Sequence, residues 1–233
     1  MLTKATFLLL AACAVSVAIV GGSEWNQATR NQILEIHNEY RRNEGGCQIN
    51  KLEYDMALEA QARTWAEGCW FKHEMVKGRG ENLAYSTWQH PEQQLITDAA
   101  AGWFKEKEDF SRGQYGCQRS CHYTQLVWHS TQKVGCWSTR CPRLRGSTAR
   151  NAWYFVCFYT PMGNMIGEEP YKLHCDTPCH PGQSHEGGLC VGEAVVPCTN
   201  GSPSCDSWAR RGECQRNPNY MLTNCRKACH VCK

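Results

Sequence analysis

Beyond its first 22 residues, the 233-residue chain has no run of consecutive apolar residues long enough to cross a bilayer. It also lacks a charge bias: 25 basic and 22 acidic side chains leave a formal net charge of +3, too small to indicate nucleic-acid binding. Internal repeats are absent. Aromatic residues make up 10% of the chain, which excludes a disordered polymer. A folded, soluble protein is the expected class.

The N-terminus has the pattern of a secretory signal peptide. Lys4 is the only charged residue before Glu24, an apolar run occupies residues 5–20, and residues 21–22 are both glycine. We predict cleavage after Gly22. A membrane anchor is the alternative, but the run is too short and its flanks differ from those of an anchor. The mature chain is therefore expected to be secreted and extracellular.

Cysteine, in contrast, is abundant, with 17 residues. So many thiols are incompatible with a reducing cytosol, and the count predicts disulfides formed in an oxidising compartment. Removal of Cys13 with the signal leaves ten cysteines over residues 47–190 and six over residues 198–232. Both groups are even, so each can close its own bonds, which predicts two independent modules.

A linker is expected between the modules, over residues 172–197. This stretch is rich in Pro, Gly, Ser and His and has little hydrophobic periodicity, so its three cysteines would have to hold it. Residues 23–197 have a net charge of −2, whereas residues 198–233 carry six basic and two acidic side chains, a net of +4. We therefore predict a domain over 23–171, the linker, and a small basic module over 198–233.

Hydrophobic periodicity predicts a mixed fold for the larger domain. A first helix is expected to begin at Thr29, with Gln32 completing a capping box, and a second after Asp55. Strands are expected over residues 133–139 and 152–159, and the second is apolar on both faces, as in a covered central strand. Because helices and strands do not alternate regularly, we predict an α+β fold with helices on both faces of a sheet.

Glu106 stands out in a third predicted helix, over residues 92–109. At 100° per residue it falls within an apolar stripe whose other members are Leu95, Ala99, Gly102 and Trp103. A carboxylate in such a stripe costs on the order of several kcal/mol unless it is paired or hydrogen-bonded. We expect Glu106 either to have a partner or to lie at a helix end that reaches solvent.

Four segments, in this order, carry a family resemblance: HNEYRR at 37–42, GENL at 80–83, HYTQLVW at 122–128 and YFVCFYTPMGN at 154–164. They resemble signatures of the CAP superfamily, which includes cysteine-rich secretory proteins, insect venom antigens and plant pathogenesis-related proteins. The resemblance covers about residues 29–171. It implies a three-layer α-β-α sandwich.

The resemblance also implies a central cleft with two histidines and two acidic residues. By motif match these are His73 and His122, as metal ligands, and Glu81 and Glu106, as carboxylates beside them. Imidazoles suit zinc, and the carboxylates could orient a water or take protons. Two protein ligands are fewer than the usual three of catalytic zinc, so weak zinc binding is expected. The alternative is a buried His/Glu network that satisfies only itself.

Enzyme motifs are incomplete. His73-Glu74 begins like a zincin motif, but Lys77 occupies the place of the second histidine. Ser86 has no GxSxG elbow around it. We predict a secreted protein that acts by binding an extracellular protein (an ion channel or receptor), a matrix, or a lipid or sterol. A secreted peptidase using the four cleft residues and a venom-type ion-channel modulator are the alternatives.

The last six cysteines have spacings that resemble the ShKT domain. The resemblance implies three disulfides: Cys198–Cys232, Cys205–Cys225 and Cys214–Cys229. A module of 36 residues buries too little apolar surface to fold alone, so its disulfides would supply the stability. ShKT toxins plug potassium channels with a lysine followed by a tyrosine, whereas Asn219 precedes Tyr220 here, so adhesion or targeting is the expected role.

Three further features are local. Asn200 begins the only glycosylation sequon, N-G-S, and is a predicted glycosylation site.

Cys117 and Cys121 are expected to bond elsewhere in the chain, and Cys47 is a candidate partner for the three linker cysteines. Four arginines between the two predicted strands could meet an anionic glycan or lipid head group, but a solvated loop is the preferred interpretation; they are Arg140, Arg143, Arg145 and Arg150.

Overall fold

The computed structural model describes residues 25–114, 116–195 and 198–232. The signal peptide predicted over residues 1–22 lies outside the described residues. Within the described ranges, no helix is both long and apolar enough to cross a membrane.

The larger domain contains four helices and four strands in mixed order. The helices are α1 (Gln27–Asn43), α2 (Met56–Glu67), α3 (Glu92–Lys105) and α4 (Cys121–Leu126). The strands are β1 (Glu53–Tyr54), β2 (Gly80–Ser86), β3 (Lys133–Arg143) and β4 (Arg150–Thr160). A hairpin of β5 (Ser184–Glu186) and β6 (Leu189–Val191) follows, and then three short helices: α5 (Cys205–Arg210), α6 (Glu213–Arg216) and α7 (Pro218–Asn224).

The start of α1 differs from its prediction. The helix begins two residues earlier than Thr29, and Asn26 caps it by accepting a hydrogen bond from the Thr29 backbone N–H at 3.1 Å. Gln32 completes no capping box, since its amide donates to the Gln93 carbonyl instead. The second helix agrees with its prediction: the Asp55 side chain caps α2 by accepting hydrogen bonds from the backbone N–H groups of Ala57 and Leu58.

The third helix ends earlier than predicted. α3 stops at Lys105, and a short 3₁₀ helix, Glu106–Asp109, continues from it. Gly102 is exposed, so the predicted stripe is wrong at that position. The buried face consists of Leu95, Ile96, Ala99, Ala100 and Trp103. Glu106 therefore leaves the apolar face at the point where the helix tightens.

The sheet has the strand order β1-β3-β4-β2, in which β1 runs parallel to β3 and the other pairs are antiparallel. β4 is thus central, as predicted, and its side chains alternate between two hydrophobic clusters. Tyr154, Val156 and Phe158 pack with α2 on one face. Phe155, Cys157 and Tyr159 pack with α1, α3 and α4 on the other. The fold is the expected α+β, three-layer α-β-α sandwich.

Close packing of α2 on the sheet depends on Gly135 in β3. A Cβ at this position would lie 2.3 Å from the Glu59 backbone nitrogen, so only glycine allows the approach. Each fully buried aromatic or aliphatic side chain of these clusters contributes about 1.5–3 kcal/mol to folding.

The disulfides fall into two separate groups. Five lie within residues 47–190: Cys47–Cys175, Cys69–Cys141, Cys117–Cys121, Cys136–Cys157 and Cys179–Cys190. Three lie within residues 198–232: Cys198–Cys232, Cys205–Cys225 and Cys214–Cys229, the pairs that the ShKT resemblance implies. The prediction for Cys117 and Cys121 is wrong, because the turn into α4 brings their Cα atoms within 4.8 Å of each other.

The predicted linker is attached to the larger domain more firmly than its composition indicates. Leu189 is fully buried in the main cluster, and the backbone N–H of Cys190 donates to the Ile49 carbonyl at 2.8 Å. Arg42 of α1 donates to the Gly187 carbonyl at the turn of the hairpin. The last module has its own small core, formed by Cys205, Met221 and Cys225.

Candidate functional site

The first predicted pair, His73 and Glu81, meets beside the start of β2. The Nδ1 atom of His73 lies 3.2 Å from a Glu81 carboxylate oxygen. The same carboxylate accepts the backbone N–H groups of Glu74 and Met75, each at 2.9 Å. Arg79 also donates to it, at 3.2 Å. The loop that carries His73 is thus folded around the Glu81 carboxylate, of which only 4% is exposed.

This environment keeps Glu81 ionised. Burial by itself raises the pKa of the Glu81 carboxyl, but the hydrogen bonds from His73, Glu74, Arg79 and Met75 outweigh it and lower the pKa to about 2. Arg79, which the sequence analysis missed, is held in turn by Glu74 and by the ring of Phe158, whose centroid lies 3.5 Å from the guanidinium carbon.

The second predicted pair joins Glu106 to His122. One Glu106 oxygen lies 2.6 Å from His122 Nδ1, and the other accepts the backbone N–H groups of His122, at 2.9 Å, and Tyr123, at 3.3 Å. Glu106 therefore caps the first turn of α4 while it fixes the imidazole. The indole of Trp103 stacks on the His122 ring with 6.2 Å between centroids. Glu106, at the end of α3 and partly exposed, thus has His122 as its partner.

Arg41 of α1 holds the other end of α4. Its side chain is fully buried and donates to the backbone carbonyls of Asn50, Leu126 and Thr131 at 2.8, 2.9 and 3.1 Å. Burial lowers the pKa of Arg41 to about 9. Leu126 is the last residue of α4, where the helix dipole favours a cation. The sequence analysis treated this first-helix motif only as a signature and missed its role in positioning the His122 helix.

Gln125 connects α4 to the other motifs. Its side-chain oxygen accepts the Gly163 backbone N–H at 2.8 Å, and its amide donates to the Thr131 hydroxyl at 3.2 Å. A Cβ at Gly80 would lie 2.0 Å from the same oxygen, so the glycine before Glu81 lets β2 pass against α4. The GENL, HYTQ and PMGN segments thus meet around one amide.

His37 is a buried histidine with a structural role. Its Nδ1–H donates to the Ile33 carbonyl at 2.7 Å, so its Nε2 accepts from the Tyr159 hydroxyl at 2.9 Å. Burial lowers the pKa of His37 to about 4, which keeps the ring neutral at pH 7. The ring joins α1 to the central strand.

The four predicted cleft residues thus form two separate His–carboxylate pairs. In each pair the carboxylate is hydrogen-bonded to Nδ1 of the histidine, which leaves Nε2 as the ring atom that could bind a ligand. The side chains of His73 and His122 are 45% and 31% exposed. Among the described residues, no group of three or more His, Cys, Asp or Glu side chains could hold a metal ion. A metal here would therefore have no more than two side-chain ligands of these types.

Ser86 has a histidine neighbour, but among the described residues no acidic side chain is hydrogen-bonded to that histidine. Its Oγ lies 3.1 Å from His90 Nε2, and His90 Nδ1 bonds to the Pro91 carbonyl. The Oγ also accepts the Trp88 backbone N–H, as in a turn. The pair has the geometry of a local turn rather than that of a hydrolase triad.

Asn200, the sequon residue, takes part in the fold of the last module. Its side-chain nitrogen donates to Asp206 at 3.1 Å, and its oxygen accepts the Ala228 backbone N–H at 2.9 Å. Among the exposed rings of this module, Tyr220 packs edge-on against Trp208 with 5.9 Å between centroids.

Comparisons with known proteins agree with the fold. A family model for cysteine-rich secretory proteins (CAP) matches residues 34–159, and one described as ShK domain-like matches residues 197–232. Peptidase inhibitor 16 of Bos taurus is 34% identical over 160 residues, 66% of this chain and 33% of that protein. The chain spans about a third of the length of the curated relatives it matches.

Two solved structures show the same fold. The crystal structure of NaASP2 with Zn2+ is 28% identical, with a TM-score of 0.57, over 71% of this chain and 96% of that one. BmVAL-1 is 24% identical, with a TM-score of 0.63, over 74% of this chain and 98% of that one. With the family match over more than half of its length, the chain belongs to the cysteine-rich secretory protein (CAP) family and carries a C-terminal ShK-like domain.

Proposed function

We propose that this chain is a secreted binding protein whose CAP domain holds zinc, weakly, between Nε2 of His73 and Nε2 of His122. Glu81 and Glu106 would fix the two rings. The observation that carries the proposal is that both imidazoles are held through Nδ1 by a carboxylate which is itself fixed by backbone N–H groups. Metal-binding histidines characteristically have such a carboxylate on the second ring nitrogen.

The likeness to NaASP2, whose crystal structure contains Zn2+, supports zinc as the metal. Two imidazoles are suitable ligands for zinc but fewer than a catalytic or structural zinc site uses. We therefore propose that the ion exchanges readily and that water completes its coordination.

Binding is favoured over peptide hydrolysis by the state of the carboxylates. A general base works best with a pKa near the working pH, whereas the pKa of Glu81 is lowered to about 2. Glu106 is occupied by the imidazole and two backbone N–H groups. Both carboxylates are thus committed to holding the histidines, so neither Glu81 nor Glu106 is free to act as the general base of a peptidase.

The partner that we propose is an extracellular protein. Met75 follows His73 by two residues and is 80% exposed, and Val76 beside it is also exposed. Neighbouring apolar side chains that are exposed to solvent can contribute to a protein-binding surface. The eight disulfides require an oxidising environment, as in the extracellular space. The ShK-like domain would direct the molecule to a membrane protein or matrix.

Calorimetric titration of zinc into the oxidised, chelator-treated protein tests the metal site. We expect one weakly bound ion, and at least a tenfold loss of affinity in His73→Gln and in His122→Gln. His185→Gln, an exposed histidine in β5, is the matched control and should bind zinc as the wild type does. Equal affinity in all four proteins would refute the site.

A further inference from the structure

The hairpin of β3 and β4 presents a basic surface that the zinc site does not use. Arg143 in β3 lies directly opposite Arg150 in β4, and Arg145 lies in the turn between them. The sequence interpretation of a solvated loop is therefore wrong about the loop, because Arg140, Arg143 and Arg150 lie in strands, although all four arginines are exposed to solvent as it expected. Lys72 approaches the same turn from the loop after α2, beside Trp70. We call Lys72, Arg143, Arg145 and Arg150, with Trp70, the basic hairpin surface.

This surface is held rigidly. The Cys69–Cys141 disulfide ties β3 to the loop that carries Trp70. The backbone of Arg145 donates to the Cys69 carbonyl at 2.9 Å and accepts from the Phe71 N–H at 2.8 Å. A ligand would therefore meet cations whose backbone is already ordered, which lowers the entropy cost of binding.

In the part of the chain that the structure describes, the four cations are not neutralised by carboxylates, although the Arg145 guanidinium donates to the Gly68 carbonyl. Within the described ranges, none of Lys72, Arg143, Arg145 and Arg150 forms an ion pair with an acidic side chain. Like charges directly opposite each other on neighbouring strands are destabilising, so the Arg143–Arg150 pair lowers the stability of the fold. A bound anion would reverse this loss. Both arginines are exposed.

An aromatic ring lies among these charges. Trp70 is 40% exposed, although two cations lie over its ring: the Arg145 guanidinium carbon is 4.1 Å and the Lys72 ammonium 5.1 Å from the ring centroid, so a ligand would contact the part of the ring that they leave open. An exposed indole can pack against the C–H face of a pyranose ring, which a cation alone cannot do. The combination suits a ligand that carries both sugar rings and anionic groups.

We propose that the basic hairpin surface binds a sulfated glycan, with sulfates paired to the four cations and a sugar ring packed on Trp70. The shape of the hairpin argues against a membrane as the ligand. The apolar residues of its turn, Leu144 and Ala149, are buried, so the tip offers no side chain to insert into a bilayer. The cations are instead grouped at the turn end of the hairpin, on both strands, on the turn and on the loop beside it, where each could pair with a sulfate.

The test uses the full, oxidised protein and immobilised heparin octasaccharide, with binding measured by surface plasmon resonance at 0.15 M salt. We expect the Arg143→Gln/Arg150→Gln double variant to bind about tenfold more weakly, and chemically desulfated octasaccharide not to bind the wild type. The matched control removes two exposed arginines from the ShK-like domain, Arg210→Gln/Arg216→Gln, with the same change in net charge, and is expected to bind like the wild type.

Thermal unfolding separates binding from folding. Removing the opposed arginines should leave the melting temperature of the double variant unchanged or raise it, because a like-charge pair is lost. The proposal fails if both double variants lose affinity equally, if the wild type does not bind the octasaccharide, or if it binds phosphatidylserine vesicles and not the glycan.

Discussion

The guanidinium of Arg41 donates a 2.9 Å hydrogen bond to the carbonyl oxygen of Leu126, the last residue of α4. Glu106 caps the same helix at its other end through the N–H groups of His122 and Tyr123. A six-residue helix is too short to be stable by itself, so these two contacts define where His122 lies. Both ends of the helix are held by charges that oppose its dipole.

Replacement of Arg41 by methionine tests this relationship. Three buried carbonyls would lose their donor, and we expect a loss of about 3 kcal/mol in the free energy of unfolding, measured by denaturant titration with the disulfides intact. Arg42→Met is the matched control, since Arg42 makes one hydrogen bond at an exposed position, and should cost less than about 1 kcal/mol. Equal losses would show that Arg41 does not hold the helix.

Acid should destabilise the CAP domain through His37. Its pKa is lowered to about 4 in the folded protein against 6.5 for an unperturbed histidine, so the unfolded state binds the proton first as the pH falls. The stability is complete above pH 6.5 and is lost progressively down to pH 4, by up to about 3 kcal/mol. Melting temperatures of the wild type and of His37→Gln at pH 7.5 and 5.0 measure the effect. A variant as acid-sensitive as the wild type would contradict it.

Glu81 should make the stability of the CAP domain depend on pH over a second, lower range. Its pKa is lowered from 4.5 to about 2, so the stability it contributes is present above pH 4.5 and is lost as the pH falls toward 2. Circular dichroism of the wild type and of Glu81→Gln between pH 5 and 2 should therefore converge as the pH falls. A difference that stays constant over this range would mean that the carboxylate is not held in its ionised form.

Replacement by alanine should change the free energy of unfolding in opposite directions at two glycines, Gly80 and Gly102. Gly80→Ala would place a methyl group 2.0 Å from the oxygen of the buried Gln125 side chain and should cost about 1–3 kcal/mol. That amide cannot easily move, because its oxygen accepts from Gly163 and its nitrogen donates to Thr131. Gly102→Ala, in α3 with no atom within 4 Å of the new methyl group, should stabilise by about 0.5–1 kcal/mol. Denaturant unfolding of the two variants checks the signs, and a neutral Gly80→Ala would refute the close approach.

Peptide hydrolysis is expected to be absent. The oxidised protein, incubated with an unbiased peptide library with zinc or with chelator, should produce no cuts that mass spectrometry can assign to it, and Glu106→Gln should behave identically. Cuts that disappear both with chelator and in the variant would make the four cleft residues catalytic and overturn the proposed function.

The sequence was informative where a local pattern has one physical solution. The apolar run of β4 indicated a covered central strand. The pattern around Glu106 indicated either a partner or a helix end, and the structure shows both, since α3 ends at Lys105 and Glu106 pairs with His122. Features set by distant contacts could not be read in the same way. Asn26 and Thr29 are both good caps, and the choice between them depends on how α1 packs.

The strand structure of the basic hairpin surface was not predicted, for a related reason. Arginines in a run interrupted by Pro142 and Gly146 have the composition of a loop. Arg140, Arg143 and Arg150 lie in strands because β3 pairs with β4. Arg145 is held instead by backbone hydrogen bonds with Cys69 and Phe71, which are far away in sequence. For Cys117 and Cys121 the error was the reverse: distant disulfide partners were expected, but a tight turn allows the two cysteines to bond to each other.

The buried position of Leu189 determines where the larger domain can be cut. A recombinant fragment that stops at residue 171 would keep every strand of the main sheet but would leave a leucine-sized hole in the hydrophobic interior. It would also leave Cys47 without Cys175. Filling that hole contributes about 2–5 kcal/mol, a large share of the stability of a domain of this size. A fragment intended for crystallisation or zinc titration therefore has to continue through Val191.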